Sequence, residues 1–95
     1  MKNKTKSTAV LILNRNLPKV TDRLRSNLLK YNQKFADVYI IDAGSDKKLT
    51  SKHTSFKANW KTAKKKGLRF ARGMNFGLGK LWENNKFEKY SYFFL

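Results

Sequence analysis

The sequence predicts an α/β protein with a mostly parallel sheet and flanking helices. Residues 9–13 and 38–41 are short, wholly apolar runs, the pattern of strands covered on both faces. A helical pattern lies between them. Strand and helix patterns then alternate along the rest of the chain, which argues for parallel strands joined by helical crossovers.

The elements follow in order. Residues 1–8 are polar and lysine-rich and read as a disordered basic leader. Residues 9–13 form the first strand. Pro18 suits the first turn of a helix, where a missing N–H costs nothing. Val20, Leu24 and Leu28 recur at a spacing of four, and Leu17 and Tyr31 extend the stripe. With Lys19, Asp22, Arg23 and Arg25 facing water, this is an amphipathic helix ending near Asn32. Residues 38–41 form the second strand. The unit from Ala9 to Asp42 has the length of a right-handed parallel crossover.

Residues 47–52 read as a short helix or a loop. Residues 54–58 are a candidate third strand, supported by Thr54 and Phe56. Residues 60–66 are basic and fit helix or loop. Farther on, Ala71, Met74, Asn75, Leu78, Leu81 and Trp82 share one helical face, and Trp82 is assigned to the core. Gly73 and Gly77 interrupt that helix. Each costs roughly 1 kcal/mol relative to alanine, a cost that suits a backbone in close approach to a neighbour. Residues 83–89 form a polar connection, and residues 90–95 a last strand, cut short.

Ninety-five residues hold one domain at most. Such a chain buries only roughly 60–65% of its unfolded surface, so its stability is marginal. The absence of cysteine rules out a disulfide framework and a thiolate metal site, and fits a cytoplasmic location. The apolar run behind the basic leader is five residues long, too short for a signal-peptide core or a membrane span. Peripheral contact at the inner membrane surface stays open.

The formal charge of +16 points to a polyanion: nucleic acid, anionic lipid or a phosphorylated ligand. Two plainer explanations compete. One is codon bias toward lysine and asparagine. The other is that the acidic residues lie elsewhere in a larger protein. The apolar finish Tyr92-Phe93-Phe94-Leu95 favours the latter, so residues 9–95 are expected to be an incomplete domain.

Ligands of open α/β sheets bind outside the carboxyl ends of the strands. The first strand ends on Asn14, Arg15 and Asn16. The second ends on Asp42, Gly44, Ser45 and Asp46. A carboxylate at Asp42 would accept hydrogen bonds from a base or from ribose hydroxyls, and Gly44 would open the turn with a positive φ. The plainer alternative is that Asp42 and Ser45 close a turn or cap a helix.

The order Leu13-Asn14-Arg15-Asn16, then Ile40-Ile41-Asp42-Ala43-Gly44-Ser45-Asp46, then Arg72-Gly73-Met74-Asn75-Phe76-Gly77, then an apolar strand, resembles the N-terminal half of a family 2 glycosyltransferase. That resemblance implies a partial, Rossmann-like GT-A fold that binds a nucleotide-diphosphate sugar of the UDP class. It further implies sugar transfer to a hydroxyl acceptor, saccharide or lipid-linked, in polysaccharide biosynthesis. Asn14, Arg15 and Asn16 would line the nucleotide pocket. Asp42 would contact uracil, and Gly44, Ser45 and Asp46 would shape the same turn. Gly73 and Asn75 would open the third helix beside nucleotide and sugar. Arg72, like Arg69, would either offset diphosphate charge or simply face solvent.

The chain departs from that family in three places. Ala43 stands where asparagine is usual, and Gly67-Leu68-Arg69 stands where an Asn-x-Gly is common. The strand matching residues 92–95 runs, in the family, directly into an acidic motif that holds Mn²⁺ or Mg²⁺. That motif and the catalytic base beyond it are not in this sequence. No catalytic residue and no metal ligand is therefore assigned. Mn²⁺ or Mg²⁺ is expected only together with the missing motif, and the chain alone is expected not to catalyse transfer. Pairing with a missing C-terminal half follows as a partner expectation.

The alternative function is a small basic nucleic-acid-binding protein, with 22 lysines and arginines interleaved with aromatic residues. No helix-turn-helix, zinc-finger or RNA-recognition signature supports it. His53 lacks a carboxylate or cysteine companion and reads as an exposed loop residue. Gly77-Leu78-Gly79-Lys80 lacks phosphate-loop spacing.

Overall fold

A computed structural model describes residues 7–32 and 34–94. Its elements are β1 (Thr8–Asn14), α1 (Pro18–Asn32), β2 (Ala36–Asp42), β3 (Thr54–Lys57), α2 (Lys61–Lys66), α3 (Phe70–Glu83) and β4 (Tyr92–Phe94). Single 3₁₀ turns occupy Lys47–Leu49 and Phe87–Lys89. The four strands form one sheet in the order β3-β2-β1-β4, and every neighbouring pair is parallel. This is an α/β fold with flanking helices, compatible with a Rossmann-like arrangement. Of the leader expected over residues 1–8, residues 1–6 lie outside the described residues, while Thr8 already belongs to β1. Leu95, expected in the last strand, also lies outside them.

The apolar run in β1 is continuous because helices cover both faces of the sheet. Ala9 and Leu11 pack with Ile41, Met74, Leu81 and Tyr90 beneath α3. Val10 and Ile12 pack with Ala36, Ile40 and Leu28 beneath α1. Successive side chains of a strand point to opposite faces, so one unbroken run serves both layers.

Both long helices turn only part of their expected apolar stripes to the sheet: Leu28 of α1 and Met74, Leu78 and Leu81 of α3 pack inward, while other members face out. On α1, Thr21 is buried and Leu28 packs against the sheet, whereas Val20 is 63% exposed and Leu24 45% exposed. The Thr21 hydroxyl donates to the Asn14 side chain at 3.0 Å, and this bond sets the rotation of the helix. Asp22, expected in water, accepts a hydrogen bond from Ser51 instead. On α3 the buried positions are Gly73, Met74, Gly77 and Leu81. Trp82, assigned to the core from its spacing, is 64% exposed.

The two glycines explain the turn of α3. A Cβ on Gly73 would lie 2.6 Å from Leu13 Cδ2, and one on Gly77 would lie 2.8 Å from Ile41 Cδ1. The helix backbone rests directly on strand side chains, so the glycine face must point inward.

A buried tyrosine fastens the segment before β4 to β2. The Tyr90 hydroxyl donates to Asp37 Oδ2 at 2.6 Å and shares a hydrogen bond with the Tyr39 hydroxyl. Burial, then the bond to Asp37, then the bond to Tyr39 push the Tyr90 phenol well above its ordinary value of 10.0. Tyr90→Phe is expected to cost about 1–2 kcal/mol at neutral pH. A raised folded-state value makes this contribution complete below the unfolded value and progressively lost above it. Urea unfolding at about pH 8 and about pH 10.5 should therefore show the gap between wild type and Tyr90→Phe shrinking in alkali.

No helix among the described residues is long and apolar enough to cross a membrane.

Candidate functional site

The parallel pairing of β1 with β2 sets Asn14 opposite Asp42, so the two strands end side by side at one rim. The turns that follow are laced together. The Ala43 amide donates to the Asn14 carbonyl at 2.9 Å. The Asn16 amide donates to Ser45 Oγ at 2.9 Å, and the Asp46 amide donates to Asn16 Oδ1 at 2.8 Å. Asn16 takes φ 61°, a left-handed conformation that asparagine tolerates better than most residues.

Asn14 and Asp42 lie at the centre of this unit and are closed to solvent, 1% and 0% exposed. Asn14 Oδ1 accepts the Leu17 amide and the Thr21 hydroxyl, both at 3.0 Å. Asn14 Nδ2 donates to Asp42 Oδ1, Ser45 Oγ and the Leu49 carbonyl at 3.2–3.4 Å. The other carboxylate oxygen, Asp42 Oδ2, accepts the Ser45 amide at 2.9 Å and the Gly44 amide at 3.3 Å. Asp42 therefore spends both oxygens on its own turn and on Asn14. Its geometry is that of the turn-closing alternative, with no carboxylate oxygen facing outward.

Gly44 has φ +94°, and a Cβ there would lie 2.0 Å from the Ala63 carbonyl oxygen of α2. That close approach seats α2 on the rim. The Leu68 amide adds a bond to the Ala43 carbonyl at 3.2 Å, and Arg15 Nη2 donates to the Lys64 carbonyl at 3.4 Å. The Arg15 guanidinium lies against Gly67, where φ is +75° and a Cβ would sit 2.0 Å from Nη1.

Gly67 opens onto a cavity of about 580 Å³ lined by Lys66, Arg69, Ala71, Arg72 and Asn75. The cavity lies at the start of α3, which has no acidic residue in its first turn and no side-chain cap. Free amides at a helix start and three cationic side chains all favour an anion there.

Comparison of the chain with protein-family models, curated proteins and solved structures found no match. The site therefore rests on its own geometry.

The structure gathers Asn14, Arg15, Asn16, Asp42, Gly44, Ser45 and Asp46 at one rim. Arg72 and Asn75 line the adjoining cavity. Gly73 does not open toward either, because it is buried against Leu13. The exposed members are Arg15, Asp46, Arg72 and Asn75, with Asn16 half-buried. Lys66 and Gly67, absent from the sequence-based set, belong with them. Both sit in the ten-residue stretch 66–75 that lines the cavity, and the recurrence of cations at Lys66, Arg69 and Arg72 is the signal that would have found them.

Among the described residues, no group of three or more histidine, cysteine, aspartate or glutamate side chains converges on a point that would hold a metal ion. At the rim, Asp42 has both oxygens engaged, and Asp46 is the one other carboxylate of the turn that follows β2. These residues do not fit a divalent cation site.

Proposed function

We propose that this chain is the nucleotide-binding half of a GT-A, family 2 glycosyltransferase-like protein, and that its rim and cationic cavity receive the nucleoside diphosphate of a UDP-sugar. One observation carries the reading. Two polar turns leave the carboxyl ends of adjacent parallel strands side by side, and a cavity lined by Lys66, Arg69 and Arg72 adjoins them. The diphosphate would lie against these cations and the amides at the start of α3. Arg15, Asn16, Asp46 and Asn75 would meet base, ribose and sugar. Asn14, Asp42 and Ser45 hold the two turns in place and touch no ligand directly. Gly73 lets α3 close onto the sheet.

Transfer to a saccharide or lipid-linked hydroxyl acceptor would need carboxylates that these residues do not supply. A cytoplasmic position at the inner membrane surface fits the cysteine-free, strongly basic composition.

Titration calorimetry with UDP, UMP and uridine tests the reading. UDP is expected to bind at least about tenfold more tightly than uridine, a difference of ~1.4 kcal/mol. Arg72→Ala and Arg69→Ala should each remove most of that difference and leave uridine unaffected. Equal affinity for UDP and uridine, or no UDP binding at millimolar concentration, overturns it. So does a single-stranded oligonucleotide that displaces UDP with a marked base preference, the result expected of a nucleic-acid-binding protein.

A further inference from the structure

We infer that the start of α1 and the 3₁₀ turn at Lys47–Leu49 together form a docking point for an anionic lipid surface. The inference is independent of the nucleotide reading. It starts from three aliphatic side chains held out in solvent. Leu17 is 60% exposed, Val20 63% and Leu49 37%. They come from two separate segments, and with Asn16, Pro18 and Lys19 they line a slot of about 220 Å³.

One buried side chain sets their positions. Asn14 Oδ1 accepts the Leu17 amide at 3.0 Å, and Asn14 Nδ2 donates to the Leu49 carbonyl at 3.2 Å. Thr21, turned inward onto the same oxygen, carries Val20 outward. The Leu49 amide closes its own turn on the Asp46 carbonyl at 2.9 Å, and Ser51 ties that segment to Asp22 of α1. Turning either segment inward would break buried hydrogen bonds, so the apolar tip is a fixed feature of the fold.

Cations flank the tip. Lys19 lines the slot, and Lys47 and Lys48 stand exposed on the turn. That turn carries one carboxylate, Asp46, while the Asp22 carboxylate is engaged by Ser51. Aliphatic side chains that enter the headgroup region, beside lysines that stay at its surface, are the chemistry of a peripheral contact with anionic lipid. Nucleic acid fits less well, because leucine and valine offer a base no face to stack on. A protein partner also fits less well, since a stable interface buries about 800 Å² on each side, more than three side chains provide. A second copy would set lysine against lysine.

The test uses the whole chain, whose sequence has no cysteine, so a single nitroxide can be placed on Leu17→Cys, Val20→Cys, Leu49→Cys or Gly79→Cys. Gly79 is the control, with open space around it on α3, which covers the other face of the sheet from α1. Vesicles of phosphatidylcholine with about 30% phosphatidylglycerol are compared with phosphatidylcholine alone. On the anionic vesicles, labels at 17, 20 and 49 should become at least about tenfold less accessible to a water-soluble nickel quencher, and the label at 79 should stay open. Neutral vesicles should bind the chain at least about tenfold more weakly. Leu17→Asp combined with Leu49→Asp, two exposed positions with folding checked by circular dichroism, should weaken binding to anionic vesicles by about tenfold or more. Lys47→Gln combined with Lys48→Gln should do the same, since each lysine at such a surface is worth about fivefold.

Three results overturn the inference. Vesicles bind while the labels at 17, 20 and 49 stay open to the quencher, which would move the contact to another basic face. The aspartate and glutamine variants bind anionic vesicles as wild type does. Or a single-stranded oligonucleotide shields the three labels and the vesicles do not, the result expected of a nucleic-acid surface.

Discussion

Asp42→Ala is expected to lower the unfolding free energy by about 4 kcal/mol, the largest loss from any single side chain at the rim. The carboxylate is fully buried and accepts three hydrogen bonds, from Asn14 Nδ2 and from the Gly44 and Ser45 amides. Alanine removes the acceptor and leaves the two amides in a space that water does not reach. Each stranded donor costs about 1–3 kcal/mol. Asn14 Nδ2 loses less, because Ser45 Oγ and the Leu49 carbonyl remain. A chain of this length has roughly 5–14 kcal/mol in total, so the variant would sit near the unfolding threshold.

Asp42→Asn separates charge from geometry. Its amide oxygen still accepts the two turn amides, but its NH₂ then faces the NH₂ of Asn14, and the expected loss is about 2 kcal/mol. Urea denaturation followed by far-ultraviolet circular dichroism measures both. If Asp42→Ala stayed within about 0.5 kcal/mol of wild type, the carboxylate would not be what holds the turn. The result bears on function as well. An aspartate that contacted a base would lose UDP affinity at unchanged stability, whereas one that closes the turn loses both together.

What the sequence shows of this fold follows from what burial writes into it. Strands covered on both faces need apolar residues at every position, so β1 and β2 stand out as unbroken runs. Their polar ends mark the rim for the same reason, because the run stops where the sheet does. The faces of the helices are less legible. Successive residues on a helix differ by about 100°, so Thr21 turned inward is enough to carry Val20 outward. Thr21 is held there by Asn14, and a buried polar residue adds nothing to an apolar stripe.

α3 hides its inner face in a different way. Gly73 and Gly77 have no side chains to register as apolar, yet Leu13 and Ile41 fill the space above them. The helix therefore reads as if Trp82 were inside. At the rim, the sequence locates Asn14 and Asp42 but does not show that they spend their polar atoms on each other. The cationic cavity draws Lys66 from α2, Gly67 and Arg69 from a connection, and Arg72 and Asn75 from α3. These residues are close in sequence, and α2, which leads into them, is seated against Gly44.

That seating makes Gly44→Ala the second large effect, and one that reaches the cavity from a distance. The new Cβ would lie 2.0 Å from the Ala63 oxygen and 2.6 Å from the Ala63 carbon, both backbone atoms of α2. A side chain could rotate away from such a contact, but a helix backbone moves as a unit. The residue also has φ +94°, where an L side chain is strained by about 1–2 kcal/mol before any contact is counted. Displacing α2 adds about 1–3 kcal/mol in lost packing. The total expected loss is about 2–5 kcal/mol.

The displacement would not stop at Ala63. The Leu68 amide binds the Ala43 carbonyl and Arg15 reaches the Lys64 carbonyl, so a shifted α2 pulls Lys66 and Gly67 out of register with Arg72. UDP affinity should fall with stability, although no ligand-facing side chain has changed. Gly79→Ala is the matched control. Its Cβ would meet nothing within 4 Å, and its backbone is ordinary helix. Alanine there should raise stability by about 0.5–1 kcal/mol and leave UDP binding alone. Opposite signs from one substitution at two glycines would tie the turn at Gly44 to the cavity beyond it, and equal signs would break that link.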